Sequence, residues 1–393
     1  MLKPLLLSLS VAALFAPGAT LARVSDNEPV GELQFTLTER ENDGQAQLSL
    51  TSSRRGHWQM SGPQSWSSLN GVTAADLRRD PPAAVRFTRT HAAGVLSCAG
   101  FAGAGAGAGA CSFDGDEQFA AELTRRGTER PSEQELFVIA QTDFDVTTLD
   151  DLSRLGYPTR DLDTVVAIAI HDLDGEYAAD LARAGYRLDD LDELIGFRIH
   201  DVTPEYIAGL ARLGAGFTNL AADDVLGMRI HDVTPEFVGE MRAIGFTNAS
   251  AEEYVAMRIH DITPEFVRDM RSLGFNESAD EYVAMRIHDV TPDYVREMRG
   301  LGFNESGDEY VAMRIHDVTP DYIHSMEQVG YRDLPIDTLV AFRIHEVTPD
   351  FIRRISAAGY PNLSADQLVS LRIAGVTPDY ARDMERSRTR GRN

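Results

Sequence analysis

The stretch Met285-Arg286-Ile287-His288-Asp289-Val290-Thr291-Pro292-Asp293-Tyr294 decides the fold, because near-copies of it recur along most of this 393-residue chain. Arg-Ile-His, an acid, Val or Ile, and then Thr-Pro surround His200, His231, His260, His288, His316 and His345, with a looser copy at His171. From His171 to His345 the spacings are 29, 31, 29, 28, 28 and 29 residues, the period of a two-helix repeat.

One copy can be derived residue by residue. Thr263 stands before Pro264, which excludes it from helical backbone and leaves it in the extended state that an N-cap needs. Pro264 then opens the helix, where its missing N–H costs nothing. Phe266, Val267, Met270 and Leu273 form one apolar stripe. Gly274 ends the helix in the left-handed state, with Phe275 folding back on Met270 as in a Schellman ending.

A second helix starts at Ser278, with Glu281 three residues on as the other half of a capping box; Ser250 with Glu253 and Ser306 with Glu309 repeat the arrangement. Tyr282, Val283, Ala284, Met285 and Ile287 make this helix apolar over most of its circumference, which predicts an inner helix. The register extends upstream through Asp116, Ser132 and Asp145, so the array is expected to hold ten first helices and nine second ones over 116–384. Helices this short are marginal alone. Stacking must hold them, in a right-angled or gently curved solenoid ending on a capping repeat.

Upstream, 23–115 reads as a small antiparallel sheet domain. Gly31–Thr38 and Gln45–Thr51 alternate apolar and polar residues about the turn signal Asp43-Gly44, and Val85–Thr90 and Val95–Phe101 follow. Ala102–Ala110 alternates Ala and Gly, so as a strand it shows glycine on one face and methyl groups on the other. A hairpin about its centre brings Cys98 and Cys111 together. The two cysteines are read as a disulfide, worth on the order of 3 kcal/mol by loop closure. The fold class is therefore α+β: a β domain, then an all-α two-helix-repeat solenoid.

Residues 1–22 carry Lys3, an apolar run Leu5–Ala16 and the small pair Thr20 and Ala22, the pattern of a cleaved signal peptide. The run is too short to span a bilayer of about 30 Å, so no membrane insertion is expected after cleavage. Export to the periplasm or the medium follows. A net charge of -24 argues against a nucleic-acid partner. Residues 385–393, with Arg386, Arg388, Arg390 and Arg392, read as a basic disordered tail.

Histidine beside an acid suggests metal or catalysis, but parallel histidines about 8–10 Å apart on stacked helices do not converge on one ion with bonds of about 2 Å. No catalytic residue, metal or cofactor is expected. Arg258, His260, Asp261, Arg286, His288, Asp289, Arg314, His316 and Asp317 read instead as a structural ladder, in which the imidazole complements the helix dipole and Arg286 pairs with Asp289 or Asp317. The candidate partner surface is the first helix, through Glu265, Arg268, Asp269, Arg271, Asp293, Arg296, Glu297 and Arg299.

The wording Arg229-Ile-His-Asp-Val-Thr-Pro-Glu-Phe-Val238, with Gly245-Phe246 after the helix, resembles repeats in bacterial beta-lactamase-regulator-type membrane metallopeptidase proteins. This chain has no His-Glu-x-x-His, so no peptidase residue carries over. The resemblance implies an extracytoplasmic interaction module associated with sensing. The expected function is a non-enzymatic scaffold binding a protein or peptide. The alternative is a polysaccharide-binding protein or enzyme acting through the sheet domain's Trp58 and Trp66.

Overall fold

Six strands form one antiparallel sheet: β1 (Leu33–Glu39), β2 (Ala46–Ser52), β3 (Gln59–Gln64), β4 (Ala83–His91), β5 (Gly94–Gly103) and β6 (Ala106–Gly115), in the order β3-β2-β1-β6-β5-β4. The computed structural model describes residues 30–52, 59–214 and 216–390. The signal peptide read at 1–22 and Trp58 lie outside those residues. Two features are new relative to the sequence reading: β3, and a cover of one 3-10 turn (Trp66–Ser68) and a helix α1 (Ala74–Leu77) between β3 and β4.

The period of two in β1 and β2 buries Leu33, Phe35 and Leu37 with Ala46, Leu48 and Leu50 on one face. Phe87 meets Phe35 edge-on at 5.1 Å between ring centres, and Leu69, Val72 and Leu77 of the cover are also buried. The Ala-Gly run is the β5–β6 hairpin, turning tightly through Ala104 and Gly105, both with positive φ. On β6 the glycines face the core and the alanines face out, Gly107 buried and Ala106 and Ala108 exposed, whereas on β5 Ala102 is itself buried. The bare backbone is required at Gly109, where a Cβ would stand 2.2 Å from the carbonyl oxygen of Ala99 and 2.7 Å from the Phe35 ring. Across the hairpin Cys98 pairs in register with Cys111, and the two form a disulfide.

Helices follow at once. They are α2 (Glu117–Arg125) and α3 (Glu133–Ile139), α4 (Thr147–Leu155) and α5 (Leu162–Ile170), α6 (Gly175–Arg183) and α7 (Leu191–Ile199), α8 (Pro204–Arg212) and α9 (Ala222–Ile230), α10 (Pro235–Ala243) and α11 (Ala251–Ile259), α12 (Pro264–Ser272) and α13 (Ala279–Ile287), α14 (Pro292–Gly300) and α15 (Gly307–Ile315), α16 (Pro320–Glu327) and α17 (Ile336–Ile344), α18 (Pro349–Ala357) and α19 (Ala365–Ile373), and a final α20 (Pro378–Arg390). Ten first helices and nine second helices are thus present among the described residues. Because α20 continues to Arg390, residues 385–390 are helix where a disordered tail was expected. The helix formers Glu385 and Arg386 extend the last turn with no glycine to stop it.

By contacts the chain divides between Pro204 and Glu205 into two compact units, so the sheet and helices α2 to α7 belong to one unit. Within it, Phe113 of β6 meets Phe137 of α3 edge-on at 5.2 Å. Buried Arg89 donates to Gln64 Oε1 and to the carbonyl of Ala140 at the end of α3. In the second unit, second helices stack on second helices in the series α9, α11, α13, α15, α17 and α19, while α12 packs on α14 and α18 on α20.

The caps follow the sequence. Thr263 and Thr291 accept from the N–H three residues on, and Ser250, Ser278 and Ser306 close capping boxes with Glu253, Glu281 and Glu309. Helix α12 ends as a Schellman motif: Gly274 has φ +93°, and the Phe275 N–H donates to the Met270 carbonyl.

Because the two faces of the hairpin differ in this way, Gly109→Ala will lower the stability of the chain by about 1–3 kcal/mol or more through the clash with Ala99 and Phe35. Ala108→Ser, on the open face, will change it by less than about 0.5 kcal/mol. Thermal and denaturant unfolding followed by circular dichroism measures both.

Candidate functional site: the second-helix face of the repeats

The recurring Arg-Ile-His-Asp is first of all a helix ending. Helix α13 stops at His288, and Asp289 takes the left-handed conformation with φ +54°. The Asp289 N–H then donates to the Arg286 carbonyl and the Val290 N–H to that of Met285, while Val290 and Met285 are both buried. This is the Schellman geometry again, with aspartate where the first helix uses glycine. Asp172, Asp201, Asp232, Asp261, Asp317 and Glu346 sit in the same backbone state, and Gly375 takes that place in the last copy. Aspartate tolerates this region better than most side chains. The acid thus closes the helix that precedes it.

A carboxylate at this point has a second use, because the next repeat sends an arginine to it. Arg286 Nη2 lies 2.9 Å from Asp261 Oδ2, Arg258 reaches Asp232 at 2.8 Å, and Arg314 reaches Asp289 at 3.4 Å. Arg343 pairs with Asp317 and Arg372 with Glu346 in the same way. In the first unit Arg198 pairs with Asp172. The ladder therefore runs backwards: Arg286 pairs with Asp261, and the expected partners Asp289 and Asp317 are taken by Arg314 and Arg343. The reason is position. The arginine stands in the last turn of its helix, level with the C-terminal end of the helix stacked beneath it.

The same guanidinium makes two further contacts. Arg286 Nε donates to the carbonyl of His260 at 3.3 Å, and Arg314 Nε to that of His288 at 3.0 Å. It also lies over an aromatic ring of the preceding first helix, Arg286 over Phe266 and Arg314 over Tyr294, each at 5.0 Å. Burial pushes the Tyr294 hydroxyl up to about 12, against the pull of Arg314, so the ring stays neutral and donates to the Val318 carbonyl at 2.9 Å. Histidine thus joins neighbours through its backbone carbonyl. The imidazoles of His260, His288 and His316 are half-exposed.

Two of the residues expected on the partner surface belong to a second ladder of this kind. Arg271 donates to the Ile244 carbonyl at the end of α10 and lies over Phe246 at 5.5 Å, and Arg299 lies over Phe275 at 5.3 Å. Both are half-buried in the stack. Glu265, Arg268, Asp269, Asp293, Arg296 and Glu297 are exposed, with Arg296 paired to Asp293 on its own helix. On α12 and α14 these exposed residues are charged and alternate in sign.

The second helices present a different surface. In α13 only Ala279, Tyr282 and Met285 are buried, the same number of residues as in α12, so the second helix is no more buried than the first. Ile287, expected in the core, is 49 % exposed. So are its equivalents: Ile170 and Ile199 in the first unit, and Ile230, Ile259, Ile315, Ile344 and Ile373 in the second, all between 40 and 66 %. Val283 and Ala284, one turn earlier on the same side of the helix, are half-buried beside Ile287, as Val255 and Ala256 are beside Ile259. Because the second helices of the second unit stack in series from α9 to α19, their isoleucines, Ile230 to Ile373, make a continuous apolar row with one isoleucine per repeat. An exposed leucine or isoleucine alone needs no account; a contiguous row marks a contact surface.

Acids border the row. Glu252, Asp280, Glu281, Asp308 and Glu309 are exposed at the starts of α11, α13 and α15. Burial and then Glu281 push the Glu277 carboxyl above its ordinary range, and burial and then Glu309 do the same to Glu305. Trp66, the other aromatic singled out in the sheet unit, is half-buried and donates its indole N–H to the Gly44 carbonyl. Among the described residues no cluster of His, Cys, Asp and Glu could hold a metal, and no helix is long and apolar enough to cross a membrane. Compared with protein-family models, curated proteins and solved structures, the chain matches none.

Arg286→Ala removes a carbonyl contact, a ring contact and an exposed ion pair, and is expected to cost about 1–3 kcal/mol, mostly from the first two. His288→Ala keeps the carbonyl and is expected to cost less than about 1 kcal/mol. Equal losses in denaturant unfolding would show that the imidazole itself ties the repeats. Separately, Asp289→Val forces a branched side chain into left-handed backbone and will cost about 1–2 kcal/mol, whereas Asp289→Gly relieves that backbone and loses only the pair with Arg314.

Proposed function

We propose that this protein is a non-enzymatic interaction scaffold that holds a protein or peptide partner on the second-helix face of its repeats. The observation that carries this reading is the isoleucine row. Other apolar side chains of the recurring motif are used inside the stack. Met285 and Val290 close the Schellman turn, and Tyr282 is fully buried and donates to the Phe275 carbonyl. Isoleucine is a poorer helix former than alanine or leucine, so helix propensity gives no reason to place it at an exposed position in repeat after repeat, from Ile170 to Ile373. Contact with a partner does.

The Cys98–Cys111 disulfide and the apolar leader at 1–22 support an oxidising, extracytoplasmic setting, periplasmic or secreted. The resemblance of the repeats to those in beta-lactamase-regulator-type membrane metallopeptidase proteins adds a link to envelope sensing. In that setting the disulfide staples the hairpin of the sheet, and the repeats supply the contact surface.

A photo-crosslinking amino acid placed at Ile287 or Ile315, in cells that make the full chain, is expected to yield defined protein adducts. The same residue at Arg268 or Glu297 should give few. Adducts confined to Arg268 and Glu297 would move the interface to the first-helix face, and their absence at all four positions would remove the scaffold reading.

A further inference from the structure

The isoleucine row does not stand on neutral ground, and its surroundings specify what can lie on it. In the repeat built on α13, the second helix and its turn carry Asp280, Glu281 and Asp289 against a single Arg286, which is held by Asp261 of the repeat before. The repeats built on α11 and α15 have the same excess, with Glu252, Glu253 and Asp261 against Arg258, and Asp308, Glu309 and Asp317 against Arg314. The first helices are balanced: Glu265 and Asp269 against Arg268 and Arg271 in α12, Asp293 and Glu297 against Arg296 and Arg299 in α14. In these repeats the acidity of the chain is thus concentrated on the face that also bears the isoleucines. Glu281 and Glu309 are already engaged in their capping boxes with Ser278 and Ser306. Asp280 and Asp308 are exposed beside them.

Spacing narrows the partner further. Packed helices stand about 8–10 Å apart, which sets the interval from one isoleucine to the next. On an α-helix laid across the stack, residues seven apart are separated by about 10.5 Å, so an apolar residue in every heptad meets successive isoleucines. Cationic side chains flanking that apolar stripe then lie over the carboxylates at the starts of the second helices.

We infer that the second-helix face of residues 205–390 takes a cationic amphipathic helix, with its apolar stripe on the row Ile230, Ile259, Ile287, Ile315 and Ile344 and its lysines or arginines on the bordering carboxylates. This rests on the scaffold reading above and specifies its partner. Hydrophobic contact supplies the holding energy and the acidic border supplies steering and selection against anionic segments.

The test uses the full chain and a synthetic peptide of about four heptads, roughly 28 residues, with leucine at the core heptad positions and lysine at the flanking ones. Its affinity is read by fluorescence anisotropy at rising salt. The heptad peptide is expected to bind at least about tenfold more tightly than a scrambled peptide of the same composition. A central proline in the peptide, which breaks a helix, should abolish that advantage. Ile287→Ser with Ile315→Ser should weaken binding about tenfold or more, with the unfolding transition of the protein unchanged. Asp280→Asn with Asp308→Asn should weaken it mainly at low salt and flatten the salt dependence.

Equal binding of the scrambled peptide, or full binding by the isoleucine variant, overturns the proposal. Equal binding of the proline peptide overturns the helical form of the partner. If the heptad peptide does not bind while crosslinks still form at Ile287 and Ile315, the partner class is wrong and the scaffold reading stands. If both fail, the scaffold reading falls with it.

Discussion

The arrangement depends on one contact: in α7 and from α11 to α19, an arginine in the last turn of the second helix grips the C-terminal end of the second helix before it. Arg286 reaches the His260 carbonyl and the Asp261 carboxylate while its guanidinium plane covers Phe266. A helix end carries unsatisfied carbonyls and partial negative charge. Here both are met by a neighbour's side chain. The ion-pair part is exposed and worth little by itself. The carbonyl and ring contacts are better shielded, and they fix the register between repeats, since the arginine must arrive level with both.

This accounts for the different left-handed residues at the two turns of a repeat. Gly274 and Asp289 hold the same left-handed backbone at the ends of α12 and α13. Glycine suffices after the first helix, where Arg271 addresses a backbone carbonyl of the previous repeat. After the second helix the left-handed residue also offers a carboxylate to the arriving arginine. Helices of nine residues, the length of both α12 and α13, are too short to persist alone. Two closed turns per repeat and a guanidinium at each joint let the apolar side chains stack without fraying ends.

Once the joint and the core have taken their residues, what is left over is the surface we propose for contact. The charged residues of the first helix alternate in sign and pair locally, as Arg296 does with Asp293. Those of the second helix do not balance, and they border the isoleucines that the stack leaves open. A repeat that closes its own turns and ties itself to its neighbours has no structural need of Ile287 at the surface.

Much of this is legible from the chain alone. Thr-Pro, Ser-x-x-Glu and Gly-Phe each state a local backbone requirement, so helix starts, helix ends, the number of repeats and the glycine face of the hairpin can be read directly. So can the pairing of Cys98 with Cys111 about the Ala-Gly turn. Local chemistry does not specify which way a long side chain reaches, so sequence reasoning places the partner of Arg286 one repeat too late. Nor does it say which apolar residue of a short helix is covered. Tyr282, Met285 and Ile287 look alike by composition, and the crossing of stacked helices buries the first two and leaves the third in solvent. Sequence determined the repeat and its turns because those are set by neighbours along the chain; the tertiary stack alone decided the ladder's direction and the exposed row, because those are set by neighbours in space.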